Sequence, residues 1–206
     1  HIYVTTMHNT MLFFTEKGRC YWLKVYAIPE GTRASKGRAI QNVIQIEPDD
    51  AVRAYINVRR LDDREYVTSN YIIMCTKAGI VKKTLLEAYS RPRQNGVNAI
   101  TIKEGDQLIE AKLTSGDSEV LLAAKEGKAI RFNEKAVRPI GRTGAGVKGI
   151  TIDGDDEVVG MICVEKDRKE DILVVSEHGY GKRTDLDDYR ITNRGGKGVK
   201  TLQITE

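Results

Sequence analysis

The sequence is poor in the residues that build metal sites, disulfide frameworks and membrane spans. Its three cysteines, Cys20, Cys75 and Cys163, stand far apart with no CxxC spacing, and its three histidines, His1, His8 and His178, are as scattered. That spacing predicts buried, reduced thiols in strands rather than a disulfide or zinc site. No apolar run approaches the ~20 residues of a membrane helix, and the N-terminal residues carry no secretory signal pattern. The expectation is a soluble cytoplasmic chain with no membrane partner. Its strand-like start, His1-Ile2-Tyr3-Val4, reads as a segment excised from a longer protein. Helical periodicity is also scarce, and Leu85-Leu86-Glu87-Ala88-Tyr89 predicts at most one turn.

Catalytic constellations are lacking too. No Ser/His/Asp or Cys/His set is suggested. Gly144-Ala145-Gly146-Val147-Lys148-Gly149 fits GxGxxG, but a dinucleotide fingerprint follows a strand and opens a helix. Here a loop precedes it and the strand-like Ile150-Thr151-Ile152 follows. Gly195-Gly196-Lys197-Gly198 lacks the upstream glycine and the Ser/Thr after the lysine that a P-loop needs. Asp153, Asp155, Asp156 and Glu157 lack EF-hand spacing and read as a solvated acidic turn. No cofactor, metal or catalytic activity is expected of the chain by itself.

What the sequence has is repetition. Four segments carry an apolar run, a polar pair, a glycine and a short alternating run. The glycines are Gly18, Gly79, Gly127 and Gly179, and each segment predicts a β-hairpin with glycine at positive φ. A second glycine follows each of the first at a spacing of 17 or 19 residues: Gly37, Gly96, Gly146 and Gly198. These lie in basic loops, of which Asn193-Arg194-Gly195-Gly196-Lys197-Gly198-Val199-Lys200 is the fullest, leading into an alternating run through Leu202 and Ile204. A period of roughly fifty residues belongs to propeller-type arrays. With an acidic turn opening each unit, the reading is all-β, four short strands per unit, in units of about 1–46, 47–102, 103–152 and 153–206 within one domain. Ile28, Tyr89, Val137 and Tyr189, ahead of the loop glycines, are expected to pin each loop to the core.

Net charge is only +4, but it alternates with the repeat. Residues 17–38, 77–97, 125–149 and 177–200 carry +5, +4, +5 and +2, while 39–76, 98–124 and 150–176 carry −2, −3 and −5. In an array of repeated blades, equivalent positions lie at equivalent heights. The loops are therefore expected to form a positive belt, with the acidic turns on another face, and a positive belt is the footprint of nucleic acid. Loop glycines would let backbone N–H groups approach phosphates, with contacts to the backbone rather than to base edges. The candidate DNA contacts are Arg33, Lys36, Arg38, Arg91, Arg93, Arg142, Lys148, Arg194, Lys197 and Lys200 in the loops. Lys82, Lys83, Lys128, Arg131, Lys182 and Arg183 beside the hairpins come second. The rival reading is a protein-interaction propeller whose loops meet an acidic partner.

The residues resemble a known family. Leu12-Phe13-Phe14-Thr15-Glu16-Lys17-Gly18-Arg19, Lys24-Val25-Tyr26-Ala27-Ile28-Pro29, and Gly179-Tyr180-Gly181-Lys182-Arg183-Thr184 leading to Arg194-Gly195-Gly196-Lys197-Gly198 are similar to the C-terminal domain of the DNA gyrase A protein, over the whole chain. The resemblance implies a β-pinwheel, a propeller-like disc whose neighbouring blades exchange strands, partial relative to a full six-bladed domain. It implies a rim that wraps double-stranded DNA to support negative supercoiling. The parent would be an A2B2 holoenzyme, a type II DNA topoisomerase built with the gyrase B protein, in which other domains handle ATP and Mg²⁺. The family's signature box, a glutamine followed by basic residues and GGKG, lies in its first blade. Here the best match is in the last unit, with Asn193 in the glutamine's place, so the segment is expected to begin after the box-bearing blade. The related C-terminal domain of the topoisomerase IV A protein shares the fold and is the alternative.

Overall fold

The computed structural model describes residues 2–202; Ile204, at the end of the predicted alternating run, lies outside them. In chain order the strands are β1 (Thr10–Thr15), β2 (Arg19–Lys24), β3 (Val52–Val58), β4 (Tyr71–Thr76), β5 (Ile80–Leu85), β6 (Val97–Asn98), β7 (Leu108–Thr114), β8 (Ser118–Ala124), β9 (Lys128–Asn133), β10 (Val147–Lys148), β11 (Val158–Glu165), β12 (Asp171–Val175), β13 (Gly181–Asp185) and β14 (Val199–Lys200). One short helix, α1 (Arg64–Ser69), was not expected from the sequence. Six residues are too few to show a helical period, but its cap is readable: the Asp63 carboxylate accepts from the Tyr66 N–H. Leu86–Tyr89 forms the anticipated single turn, as a 3-10 helix.

The four predicted hairpins are β1–β2, β4–β5, β8–β9 and β12–β13, all antiparallel. Their glycines Gly18, Gly79, Gly127 and Gly179 all have φ near +80°, as a turn ending in a left-handed residue requires. Three hairpins are completed into four-stranded sheets, with orders β3-β1-β2-β6, β10-β5-β4-β7 and β11-β8-β9-β14. In each, both flanking strands come from the following sequence unit: the first strand of that unit pairs on one side and the strand after its loop glycine pairs on the other. The sheets are thus joined by strand exchange. The fourth hairpin stands as a two-stranded sheet among the described residues.

The central strands face a neighbour on both sides, so they are apolar at nearly every position rather than alternating; all six residues of β1 are buried. Leu12 and Phe14 pack with Ile72 and Met74 of the next hairpin, whereas Met11 and Phe13 face Ile44 and Ile46. Ile73 and Cys75 turn the other way, onto Val120, Leu122 and Phe132. Leu121 continues the series toward Val164, Leu186 and Tyr189. Cys20 and Cys75 are buried free thiols in this core, and burial raises both thiols above their usual range.

An acidic residue locks each of the first three turns. Asp50 Oδ1 accepts from the backbone N–H of Lys17 at 3.1 Å, Asp106 Oδ1 from Ala78 at 2.9 Å and Asp156 Oδ1 from Glu126 at 3.0 Å. Each carboxylate belongs to the unit after the hairpin it caps. Asp50 and Asp156 are therefore buried as turn caps rather than solvated, while Glu47, Asp49, Asp153 and Asp155 of the same turns stay exposed. A second correction concerns Ile150-Thr151-Ile152, which is not a strand: pairing stops at Lys148. The N–H groups of Gly149 and Ile150 both turn onto the carbonyl of Gly79, at 2.8 and 3.3 Å. Gly18 takes Ala99 and Ile100 in the same way, and Gly127 takes Thr201 and Leu202.

The loop glycines beside the exchanged strands are required by contact as well as by φ. A Cβ on Gly146 (φ +88°) would sit 2.6 Å from the Val81 carbonyl oxygen, and one on Gly198 would sit 2.5 Å from that of Ala129. Gly105 also has positive φ, but a Cβ there meets nothing within 4 Å. Gly105→Ala is therefore expected to cost only the left-handed penalty of about 1 kcal/mol. Gly146→Ala should cost at least ~3 kcal/mol because strain and steric overlap add. Urea denaturation of the two variants measures this, and equal losses would show that the close approach carries no cost.

Candidate nucleic-acid interface

Three of the four basic loops leave and rejoin the second strand of the preceding unit's hairpin, each forming an arch. The arch of residues 139–148 starts where Pro139 bridges to Lys83 and the Ile140 N–H donates to the Lys83 carbonyl at 2.9 Å. It ends where Val147 and Lys148 pair with Val81 and Ile80. The arch of residues 190–200 repeats this on β9: Ile191 bridges to Arg131, and Val199 and Lys200 pair with Ala129 and Lys128. The arch of residues 89–98 ends on Cys20 and Arg19, and at its start the Tyr89 carbonyl accepts from Trp22 Nε1 at 3.0 Å.

The strand residue beneath each arch decides what supports it. Under the arch of residues 89–98 it is the Tyr21 ring, which lies against Gly96. Under the last it is Ile130, 3.5 Å from a Cβ on Gly196. Under the middle arch it is Lys82, whose Nζ donates to the carbonyls of Ala99, at 2.6 Å, and Arg142. Successive arches are stitched edge to edge. Thr101 donates through its hydroxyl to Thr143 O at 2.7 Å and through its N–H to Gly144 O at 3.2 Å. Thr151 repeats this on Gly195 O, at 2.7 Å, and Gly196 O, at 2.8 Å, while the Gly195 N–H donates to Gly149 O. The three loops therefore form one continuous band rather than separate tips.

The band holds seven of the ten cations expected in the loops. Arg91, Arg93, Lys148, Lys197 and Lys200 are exposed, and Arg142 is half-buried. Arg194 is half-buried and committed in part to the loop itself, its guanidinium donating to Ala136 O at 2.9 Å and Lys148 O at 3.1 Å. Arg33, Lys36 and Arg38 lie in the exposed first loop, whose Gly37 has no neighbouring strand beneath it. The anchor expected for that copy, Ile28, is 42% exposed and pins nothing there, whereas Tyr89, Val137 and Tyr189 are buried as expected. Lys182 and Arg183 are exposed on β13, Arg183 paired with Asp171 at 2.6 Å.

Three second-rank candidates are removed from the interface by burial. Lys82 is fully buried as the arch support. Lys83 is buried against Glu134 at 3.0 Å, and that carboxylate also accepts from Thr114 Oγ1 and from the N–H groups of Gly116 and Ser118. Arg131 is buried, donating to Glu119 Oε2 at 2.6 Å and to the carbonyls of Leu186 and Tyr189. Trp22, Lys83 and Arg131 occupy the same place in three hairpins, so the two cations there pin the next unit's 3-10 turn as the tryptophan does. Lys128 is half-buried, and with Lys197 it contacts Asp153, at 3.4 and 3.5 Å. These two lysines hold the Asp153 carboxyl below its usual range, the Lys128 hydrogen bond contributing most. An acidic turn thus reaches into the basic band and partly neutralises one arch.

Sequence reasoning missed Arg138 and Arg190, both exposed at the entrance of an arch. The available signal was their equal offset, eight residues before Gly146 and Gly198. Among the described residues no group of three His, Cys, Asp or Glu lies close enough to hold a metal ion, and no helix is long and apolar enough to cross a membrane.

Burial, and secondarily the charge of Arg142, lower the Lys82 pKa to about 8. Below that pH the ammonium is charged in both folded and unfolded chains and its burial opposes folding. Between about pH 8 and the ordinary lysine value of 10.5 the folded chain releases the proton first. Stability gained from this group therefore rises with pH and is complete above the unfolded value. Relative to Lys82→Met, the chain is expected to gain on the order of 3 kcal/mol of unfolding free energy across that window. Parallel denaturation curves over this range test the expectation, and a constant difference between the two proteins would refute it.

Comparison with known proteins places this architecture. The family model described as the DNA gyrase C-terminal domain, beta-propeller, matches in four repeats at residues 9–69, 70–115, 118–165 and 170–206. The chain is 46% identical over 199 residues to the DNA gyrase A protein of Staphylococcus aureus strain NCTC 8325, and equally so to that of Staphylococcus epidermidis. These matches cover 97% of the chain but 22% of the relatives' length. Among solved structures, the C-terminal domain of DNA topoisomerase IV superposes with a TM-score of 0.83 at 28% identity, over 94% of this chain and 58% of that one. The DNA gyrase A C-terminal domain gives 0.76 at 23%, over 95% and 60%, a likeness of fold. With its strand-exchanged sheets and four matched repeats, the chain belongs to the DNA gyrase C-terminal domain family.

Proposed function

We propose that this domain binds duplex DNA by its backbone along the band of arches and bends it, as a non-catalytic part of a cytoplasmic gyrase holoenzyme assembled from A and B proteins. The carrying observation is that three cationic arches are hydrogen-bonded edge to edge, through Thr101 and Thr151. Charges fixed in one continuous row suit a continuous polyanion. Folded acidic proteins offer scattered charges, and the rigid row favours DNA over such a partner. The 46% identity to the gyrase A protein favours gyrase over topoisomerase IV as the parent enzyme. The wrapping that would support supercoiling is part of the same reading, because successive arches sit on successive sheets and a duplex touching all of them runs from sheet to sheet. ATP and Mg²⁺ are assigned to other domains of the parent enzyme.

Duplex affinity of the chain measured across a salt series tests the reading. Arg93→Ala combined with Lys148→Ala, both at exposed positions, is expected to weaken binding on every DNA sequence alike. It should also make log K against log salt less steep by about 1.8. A long duplex is expected to bind more tightly than a short one. An unchanged slope would remove the band as the interface, and a folded acidic protein binding in preference to DNA would support the rival reading.

A further inference from the structure

We propose that the recess between the first two stitched arches is a discrete seat for a single backbone phosphate, shared by Arg91 and Arg93 of one repeat and Arg142 of the next, with Lys82 positioning it. This deepens the DNA-binding reading and rests on it. The recess measures about 330 Å³ and is lined by those three arginines together with Glu87 and Ser90, so its net charge is positive. It is the place where a strand of DNA would pass from one repeat to the next.

Three observations support it. First, none of the three arginines has an ion pair among the described residues, whereas Arg131, Arg183, Lys83, Lys128 and Lys197 each have a carboxylate partner. The neighbouring recess under the last arch is lined by Arg131, Arg190 and Lys197, and two of those three charges are already answered, by Glu119 and Asp153. Second, the backbone of Arg142 is held from below. The Lys82 ammonium bonds the Arg142 carbonyl and the Ala99 carbonyl together, tying the middle arch to the chain that follows the first. Neither of the other two arches has a cation in that position, since Tyr21 and Ile130 fill it there. Third, Thr101 bonds the Thr143 and Gly144 carbonyls beside Arg142, so the two arches move as one. Planar donors carried on two tethered loops and lining one recess are suited to a tetrahedral oxyanion, and guanidinium groups engage phosphate oxygens in pairs.

Lys82 acts through Arg142 and does not touch the DNA. Its role is that of a positioning residue: the buried ammonium sets the height of the Arg142 backbone, and the guanidinium carries the contact.

The test is a double-mutant cycle on duplex affinity using Arg93→Ala and Arg142→Ala, with near-ultraviolet circular dichroism to show each variant folded. If both arginines hold one phosphate, each single change weakens binding about tenfold and the double change only about twentyfold, because the contacts are coupled. Losses that multiply to about a hundredfold mean two separate phosphates and overturn the shared seat. Lys82→Met should weaken binding several-fold in the parent chain and have no effect where Arg142 is already alanine; an equal loss in both backgrounds overturns the positioning role. Inorganic pyrophosphate, added as a free competitor, should displace duplex from the parent chain at lower concentration than from Arg142→Ala, and equal displacement counts against the seat. If the parent chain binds no DNA at low salt, the underlying reading fails; if it binds with multiplicative losses, only the seat fails.

Discussion

The carbonyl of each hairpin glycine holds the repeats together. Gly18, Gly79 and Gly127 stand at φ near +80°, and that conformation turns the carbonyl outward from the hairpin tip, where two consecutive N–H groups of the following unit donate to it. The same geometry leaves no room for a side chain: a Cβ at Gly18 would lie 2.6 Å from the Ile100 carbonyl oxygen. Around that joint the other features fall into place. The exchanged strand ends there, the aspartate of the next unit caps the turn from the other side, and the basic loop is left as an arch with both feet on one strand. A backbone bond network of this kind tolerates varied side chains, so the repeat can keep its shape while its loops differ in charge.

The arches show how similar sequence positions acquire different work. The residue four beyond the hairpin glycine is Trp22, Lys83, Arg131 or Arg183. The first three pin the next unit's 3-10 turn through an indole N–H, a buried ion pair or guanidinium-to-carbonyl bonds. The Lys83–Glu134 pair is a mutual dependence, since either charge left alone in that interior would be uncompensated. Arg183, on the fourth hairpin, is exposed instead and holds no such turn among the described residues. Charge at this position thus serves the fold where the next unit is packed against it. The loop cations, held further out by the arches, carry the surface potential.

Much of this was readable in advance because it has a local cause. Glycine spacing gave the hairpins, since only glycine readily takes positive φ, and the repeat of charge gave the basic band. The short α1 escaped because six residues show no period, although its Asp63 cap was visible. Lys82, Lys83 and Arg131 were misassigned because a cation in an alternating strand looks the same whether its face meets water or another sheet. One aspartate in each of three acidic turns is a cap that the sequence did not show, because its partner lies about thirty residues upstream, at Lys17, Ala78 or Glu126.

The hairpins, their number, the loop positions and the alternation of charge follow from the chain's order of residues, because all of them depend on φ preference, side-chain type and spacing within a few residues. Which unit lends its strands to which hairpin was settled by packing, since backbone pairing carries no residue-specific label. Packing also chose which cations face solvent. Burial is a property of two packed sheets, and a lysine becomes a support under one arch or a contact on another according to what stands across from it.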